Sequence, residues 1–280
     1  MRGAEKYEAM FSEVASNASS AFVPFAVIGD PDPATSLAIG RTLVESGADA
    51  LELAIPFSDP VADGPVIQRA HDRALAGGTR VADAWQVLRT LSTEFPRCPI
   101  GLLVYANLAL HARAETFYRC AADAGVDSVL VADAPLIESG RLERIAIENG
   151  IAPVLIASPN VSDERLAAIA SRSRGYVYVT SRPGVTGTER AGLPGDAASV
   201  VRRLGGIDKP VPPALLGFGI GTPEHVRQAI GLGVAGVISG SAVVSRIERG
   251  SEAEGHSRSA MLDELTRFVR RMKEAGTTGA

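Results

Sequence analysis

Cysteine is scarce in this sequence of 280 residues, and long apolar runs do not occur. The two cysteines, Cys98 and Cys120, form neither a metal-binding spacing nor a disulfide framework, so we expect plain packing roles in a reducing compartment. No run of about 18 apolar residues could form a membrane helix, and residues 1–16 lack the apolar stretch of a secretory signal. These absences predict a soluble, cytoplasmic protein with no membrane partner.

Lysine and histidine are too few or too scattered to support several common chemistries. None of the three lysines falls in an apolar run, so a Schiff-base aldolase has no candidate nucleophile. No metal site is predicted, and we expect surface or packing roles for the four scattered histidines, which are His71, His111, His225 and His256. A Gly-x-Ser-x-Gly motif is also absent.

The charge balance limits the classes of partner that we expect for this protein. The formal net charge is −4, and no run of lysine or arginine stands out. A basic surface for nucleic acid or an anionic membrane is therefore not expected. Small molecules or another protein are the better candidates.

A regular alternation of apolar runs and helical patterns extends along most of the chain. Eight short runs read as strands that are apolar on both faces, as in a parallel sheet: 21–28, 50–55, 100–105, 128–133, 152–157, 176–181, 213–218 and 235–240. Helical spacing is found between them at 34–46, 81–94, 115–124, 141–149, 163–171, 196–204 and 223–232.

Eight such units predict an α/β fold of the (β/α)₈ TIM-barrel type, with an open doubly wound sheet as the alternative. Extra helices are predicted at both ends, the first around Tyr7–Val14, where it could close the barrel floor, and the last over 261–272. We expect a single barrel domain over residues 1–275 and a disordered tail at 276–280.

Three acidic residues fall in the stretch LELAIPFSDPVADGP, at the second strand and the loop after it. Glu52 occupies a strand position where an aliphatic side chain is normal, and Asp59 and Asp63 follow in the loop. Active sites of barrels lie at this end of the strands, where a buried carboxylate could transfer protons near neutral pH. The residues alone leave open an outward-turned Glu52 and ordinary turn roles for both aspartates.

Glycine-rich segments follow the last three strands: 181–195, GFGIGTPE at 217–224 and SGSA at 239–242. Backbone amides and helix N-termini in the loops after strands seven and eight often bind phosphate in barrels. The first segment is long and polar, as in a mobile lid. Together with the carboxylates, these loops predict metal-free acid–base chemistry on a small phosphorylated substrate.

Motifs throughout the chain resemble the tryptophan synthase alpha subunit family. They occur in family order over about residues 7–247, as FVPFAVIGDP, LELAIPFSDPVADGPVIQ, PIGLLVYANL, AGVDSVLVADAP, GYVYVTSRPGVTG and LLGFGI followed by GVISGSAVV. The resemblance implies a lyase of tryptophan biosynthesis that cleaves indole-3-glycerol phosphate to indole and glyceraldehyde 3-phosphate.

The resemblance also assigns roles to residues of this chain. Glu52 and Asp63 match the two catalytic carboxylates, and Thr186 matches a lid threonine. Gly187, Gly219, Gly240 and Ser241 match the phosphate-binding positions. The indole pocket would be formed by Phe25, Leu103, Tyr105, Leu130, Ala132, Ile156, Tyr178 and Phe218.

In the family, the loop of residues 58–60 and the turn around Asn107 contact a beta subunit, which carries pyridoxal phosphate in an α₂β₂ tetramer. The alpha chain itself is expected to hold no cofactor. This chain departs from the family at Ala54, where AIPFSDP replaces the commoner GVPFSDP, and at Pro183 in SRPGVTG. Three alternatives stay open: a free-standing lyase that releases indole, a silent allosteric partner, and another phosphate-binding barrel such as a sugar-phosphate isomerase.

Overall fold

The computed structural model describes residues 2–111, 113–181, 195–252 and 257–277. Within these ranges, nine parallel strands form one sheet in the order β5-β4-β3-β2-β1-β9-β8-β7-β6. The strands are β1 (Ala21–Val27), β2 (Leu51–Ala54), β3 (Ile100–Val104), β4 (Ser128–Val131), β5 (Ala152–Pro153), β6 (Ile156–Ala157), β7 (Val177–Thr180), β8 (Ala214–Gly217) and β9 (Gly236–Ser239).

Strands β5 and β6 are two halves of the predicted fifth strand, so the sheet closes as an eight-unit barrel. β5 pairs with β4, and β6 pairs with β7. Between them, the Val154 amide donates to Val129 O at 3.0 Å, and Leu155 O accepts from the Tyr178 amide at 3.1 Å. Pro153 has no amide hydrogen, which interrupts the ladder at this point. The TIM-barrel prediction is confirmed, and the open-sheet alternative is wrong.

Helices follow the strands around the outside of the barrel. They are α1 (Arg2–Ser16), α2 (Pro33–Glu45), α3 (Pro65–Ala76), α4 (Val81–Glu94), α5 (Ala106–His111), α6 (Ala114–Asp123), α7 (Gly140–Glu148), α8 (Asp163–Arg172), α9 (Gly195–Gly205), α10 (Pro223–Gly231), α11 (Ser241–Glu252) and α12 (Arg258–Glu274). The seven predicted helices lie within two residues of their observed bounds. The patterns did not predict α3 or α5.

The strand residues divide between two apolar clusters because successive side chains point to opposite faces. On β2, Leu51 and Leu53 pack outward against the helices, whereas Ala54 joins Phe25 and Tyr178 inside the barrel. By this alternation, Glu52 points into the barrel.

Helix α1 covers the amino-terminal end of the barrel, as the sequence predicted. Tyr7 is 2% exposed, and its hydroxyl lies 2.9 Å from Ser128 Oγ at the start of β4. Its ring packs against that of Tyr176, with centroids 5.3 Å apart. Lys6 Nζ also donates to the Asp127 carboxylate at 2.9 Å. These contacts keep water from this end of the barrel interior.

Helix α12 completes the outer layer, as predicted. Lys273 Nζ donates to Asp49 at 2.8 Å, and Ser20 Oγ donates to the Gly276 carbonyl at 2.8 Å. Residues 278–280 of the predicted tail lie outside the described ranges, and a single domain over 1–275 stays a prediction. No helix in the described part of the chain is both long and apolar enough to cross a membrane.

Candidate active site

A pocket with an empty volume of about 420 Å³ opens at the carboxyl ends of the strands. Its walls come from β1, β2, β3, β7 and β9, from the turns after β2, β8 and β9, and from the first residues of α3 and α11: Phe25, Glu52, Asp63, Ile67, Leu103, Tyr178, Phe218, Gly219, Ile220, Ile238, Gly240 and Ser241. Nine of these twelve residues were predicted for the site. Both predicted carboxylates therefore share one cavity with part of the predicted phosphate loops.

Glu52 lies deep in this cavity, with only 1% of the residue exposed. In the sheet it stands in register with Phe25 of β1 and Gly101 of β3. The structure thus excludes the outward-turned side chain that the sequence left open. A carboxyl group at this position has left water almost completely, which penalises its charged form.

Burial raises the pKa of the Glu52 carboxyl from 4.5 to about 8; a hydrogen bond from Tyr176 opposes this increase, and the charge of Asp63 adds to it. The Tyr176 hydroxyl donates to Oε1 at 3.2 Å. Oε2 is buried without a hydrogen-bond partner among the described residues. At neutral pH the side chain is therefore mostly protonated, and one of its oxygens is available to a substrate.

The resemblance assigned Tyr178 to the pocket, but the tyrosine that donates a hydrogen bond to Glu52 is Tyr176, which was not predicted. Tyr178 lines the pocket and packs edge-on against Phe218, with ring centroids 6.3 Å apart. Gly217 makes room for it, since a Cβ there would lie 2.3 Å from the Tyr178 hydroxyl. The two tyrosines are two positions apart in the sequence and so share the inner face of the barrel. That alternation could have placed Tyr176 inside the barrel, but it does not select between the two tyrosines.

Asp63 is held in the loop between β2 and α3, and it is 3% exposed. Its amide donates to Pro60 O at 2.9 Å, and its own carbonyl accepts from Gln68 Nε2 at 2.8 Å. The Tyr105 hydroxyl donates to Asp63 Oδ2 at 2.7 Å and accepts from the Ala62 amide at 3.2 Å. Turn geometry and a specific side-chain contact therefore coexist at this residue.

His71 also faces Asp63, which the sequence did not predict. This residue of α3 has no exposed surface, and its Nε2 lies 3.4 Å from Asp63 Oδ2. Its Nδ1 accepts a hydrogen bond from the Phe57 amide at 3.1 Å. The expected packing role is met by complete burial, but the ring also contacts the loop that carries the candidate catalytic carboxylate.

The predicted apolar pocket divides between two spaces. Phe25, Leu103, Tyr178 and Phe218 line the cavity that contains the carboxylates, whereas Tyr105 lies behind Asp63. A second space, with an empty volume of about 560 Å³, is bordered by the other three predicted residues, Leu130, Ala132 and Ile156. These three belong to or pack against the same apolar cluster inside the barrel.

The loops after β8 and β9 form the glycine-rich side of the pocket. Gly219 has φ +77°, a left-handed conformation that favours glycine, and a Cβ there would meet only Ser181 Oγ, at 3.9 Å. Gly240 and Ser241 lie at the amino-terminal end of α11, where the first amide groups have no partner within the helix. Amides of this kind can bind an anion.

Thr186 and Gly187 lie outside the described residues, as does Pro183. Ile67, Ile220 and Ile238 line the pocket without having been predicted, because nothing in their local sequence distinguishes them from other core residues. Within the described ranges, no group of three His, Cys, Asp or Glu side chains could hold a metal ion.

Comparisons with known proteins show which family the chain belongs to. The family profile of the tryptophan synthase alpha chain matches residues 11–277. The alpha chain of Photobacterium profundum is 50% identical over 272 residues, covering 97% of this chain and 98% of the relative. The Serratia proteamaculans alpha chain is 50% identical over 273 residues, with the same coverage.

Solved structures show the same similarity. A tryptophan synthase structure from Mycobacterium tuberculosis superposes with a TM-score of 0.86 at 29% identity, covering 98% of both chains. A chain of the tryptophan synthase α₂β₂ complex from Pyrococcus furiosus gives 0.82 at 33% identity, covering 91% of this chain and 98% of that one. By its sequence and its fold, this chain belongs to the tryptophan synthase alpha chain family.

Proposed function

We propose that Glu52 and Asp63 catalyse the lyase reaction of this family, the cleavage of indole-3-glycerol phosphate to indole and glyceraldehyde 3-phosphate in tryptophan biosynthesis. The observation that carries the proposal is Glu52 itself. It is a buried carboxylic acid with a pKa of about 8, and it shares a small cavity with a second carboxylate. Two carboxyl groups in different environments can act as acid and as charged acceptor at the same pH.

The reaction assigns a separate task to each carboxyl group. Protonated Glu52 delivers its proton to indole C3, and positive charge develops on the ring. Asp63 accepts the indole N–H and stabilises that charge. The Glu52 carboxylate then removes the proton from the side-chain hydroxyl as the carbon–carbon bond breaks, the aldehyde forms and the ring regains its aromatic electrons. Glu52 ends protonated, so the cycle needs no external acid.

The pocket suits both ends of this substrate. Phe25, Leu103 and Phe218 offer apolar surface to the indole ring. Gly219 and the amino-terminal end of α11 offer amides to the phosphate. Because these two regions line the same cavity as the carboxylates, a bound molecule would place the reacting carbon between them. The lid roles of Thr186 and Gly187 stay part of the proposal.

A beta subunit carrying pyridoxal phosphate is the proposed partner in an α₂β₂ assembly, with no cofactor in this chain. The similar Pyrococcus furiosus structure is of such a complex. Large apolar side chains are also exposed after the carboxyl ends of three neighbouring strands: Val61 at 68%, Leu110 at 48% and Ile137 at 86%. Exposed apolar groups around an active-site opening are typical of a docking surface.

The test is indole release from indole-3-glycerol phosphate by the purified chain, alone and with a tryptophan synthase beta subunit. We expect slow release alone and stimulation by the partner. Equal, fast release in both conditions would support the free-standing lyase instead. No release in either condition would overturn the proposed reaction and favour a silent partner or a different phosphate-binding barrel.

A further inference from the structure

His71 is a completely buried titratable residue that the proposed chemistry does not use. It belongs to α3, and its imidazole stands between the two ends of the loop that carries Asp63. The Phe57 amide donates to its Nδ1 at 3.1 Å, at the start of that loop. Nε2 faces Asp63 at the end of the loop. One side chain therefore contacts both ends of the catalytic segment.

The hydrogen bond from Phe57 fixes the tautomer of a neutral His71. Since Nδ1 accepts a hydrogen bond, it holds a lone pair, and the ring hydrogen must lie on Nε2. Nε2 is 3.4 Å from Asp63 Oδ2 and makes no hydrogen bond to another described residue. A buried donor therefore lies close to the carboxylate without completing a hydrogen bond to it in this structure.

The two oxygens of Asp63 are not equivalent in this arrangement. Tyr105 donates to Oδ2 at 2.7 Å, and His71 approaches the same oxygen. Among the described residues, no hydrogen bond reaches Oδ1. The Phe57 ring also stacks on Tyr105, with centroids 5.3 Å apart. Phe57 therefore contacts both residues that approach Oδ2, because its amide donates to His71. Only Oδ1 is left for the substrate.

We infer that His71 is a positioning residue for Asp63: its Nε2–H donates to Oδ2 in the substrate complex and so orients Oδ1 toward the indole N–H. This inference rests on the proposed role of Asp63. A neutral imidazole suits the task because it holds the carboxylate without cancelling the negative charge that stabilises the ring. Placing a donor correctly in a closed site affects the chemical step more than substrate binding.

Two substitutions separate the two contacts of the ring. His71→Asn keeps an acceptor near the position of Nδ1 and removes the Nε2 donor, whereas His71→Gln keeps a donor near the position of Nε2. We expect His71→Asn to lower kcat for indole release roughly 10- to 100-fold, with KM changed less than about twofold, and His71→Gln to recover part of the loss. Ala74→Ser, on the buried face of the same helix, is the control and should leave kcat unchanged.

A double-mutant cycle with Asp63→Asn distinguishes positioning from general damage to the fold. If His71 acts through Asp63, His71→Asn should cause less than about twofold further loss of kcat in the Asp63→Asn background. Thermal unfolding of each variant shows whether the fold is retained, and His71→Gln supplies a second variant for the cycle.

Each possible result either supports or overturns the inference. Near-normal kcat in His71→Asn, with Asp63→Asn strongly impaired, would overturn the inference alone. Losses that multiply in the double variant would also overturn it, because they would show that His71 acts independently. Full activity of Asp63→Asn would overturn the proposed role of Asp63 and the inference with it.

Discussion

At the scale of single residues, the chain keeps an acid in a place where its ionisation is unfavourable. Among the described residues, no cation acts on Glu52, and its hydrogen-bond partner is the neutral hydroxyl of Tyr176. Burial dominates, so the pKa of Glu52 rises to about 8. A general acid is most useful when its pKa lies near the working pH. The burial that raises this pKa should also reduce the stability of the folded chain.

Replacing this acid by its amide should separate function from stability. Glu52→Gln keeps the shape but has no transferable proton, so indole release should fall by roughly 10²- to 10⁴-fold. Native Glu52 binds its proton more tightly than unfolded Glu52, so the stability of the natural chain falls as pH rises from about 4.5 to about 8. The variant lacks this loss and should be more stable at pH 8 than the natural chain.

Denaturant unfolding at pH 5 and at pH 8 checks the second part. The gain from Glu52→Gln should be larger at pH 8 by an amount on the order of 3 kcal/mol. Equal differences at both pH values would show that Glu52 ionises normally in the folded protein. Near-normal turnover would remove Glu52 from the proton-transfer role.

A carboxylate in a buried strand is visible in the sequence alone, so Glu52 was a candidate from its position. Its catalytic role came from the family resemblance, and its inward direction comes from the structure. The side chains that contact the two carboxylates were harder to predict from the sequence. Tyr176 and Tyr178 have the same residue type and the same inward direction, and only the three-dimensional distance selects Tyr176. His71 lies on a helix that the patterns missed, so its burial against Asp63 could not be expected.

At the scale of elements, the strand ends and the turns after them position the chemistry. Helix α3 begins at Pro65, just after Asp63, and so fixes the direction of the catalytic loop. Helix α11 begins at Ser241 and directs its first amides at the pocket. Patterns missed α3 because it begins within a glycine- and proline-containing motif that resembles an extended loop.

The turn after β8 provides a test of the phosphate site. Gly219→Val introduces a β-branched residue at φ +77°, so the turn must change conformation and move its amides. We expect KM for indole-3-glycerol phosphate to rise roughly 10- to 100-fold, with a smaller effect on kcat. In the same turn, Gly221→Ala is the control, because its Cβ would meet only Ala242 Cβ at 3.5 Å. An unchanged KM in Gly219→Val would exclude this turn from phosphate binding.

At the scale of the whole molecule, one end of the barrel is closed and the other is open to a partner. Helix α1 covers the amino-terminal end through Tyr7, whereas the apolar side chains of Val61, Leu110 and Ile137 are exposed near the opposite end. The barrel itself was predictable because eight apolar runs repeat along the chain. The break between β5 and β6 was not predictable from the sequence, because it depends on how the barrel closes.

The exposed apolar surface predicts where a beta subunit docks. Leu110→Asp should weaken stimulation of indole release by the beta subunit, so that at least about tenfold more beta subunit is required for the same stimulation. Indole release by the chain alone should be unchanged. Ile147→Asp alters an exposed apolar residue of α7 and serves as the control. Equal stimulation of the natural chain and Leu110→Asp would show that the partner binds elsewhere.

The raised pKa of Glu52 depends on the whole barrel, because β2, the neighbouring strands and α1 together exclude water from the site. Its most direct test is an infrared titration of the carboxyl group, recorded as the difference between the natural chain and Glu52→Gln from pH 5 to pH 10. We expect a protonated carboxyl signal that persists at pH 7 and disappears with a midpoint at about pH 8. A carboxylate already ionised at pH 6 would contradict Glu52 as the acid that protonates the indole ring.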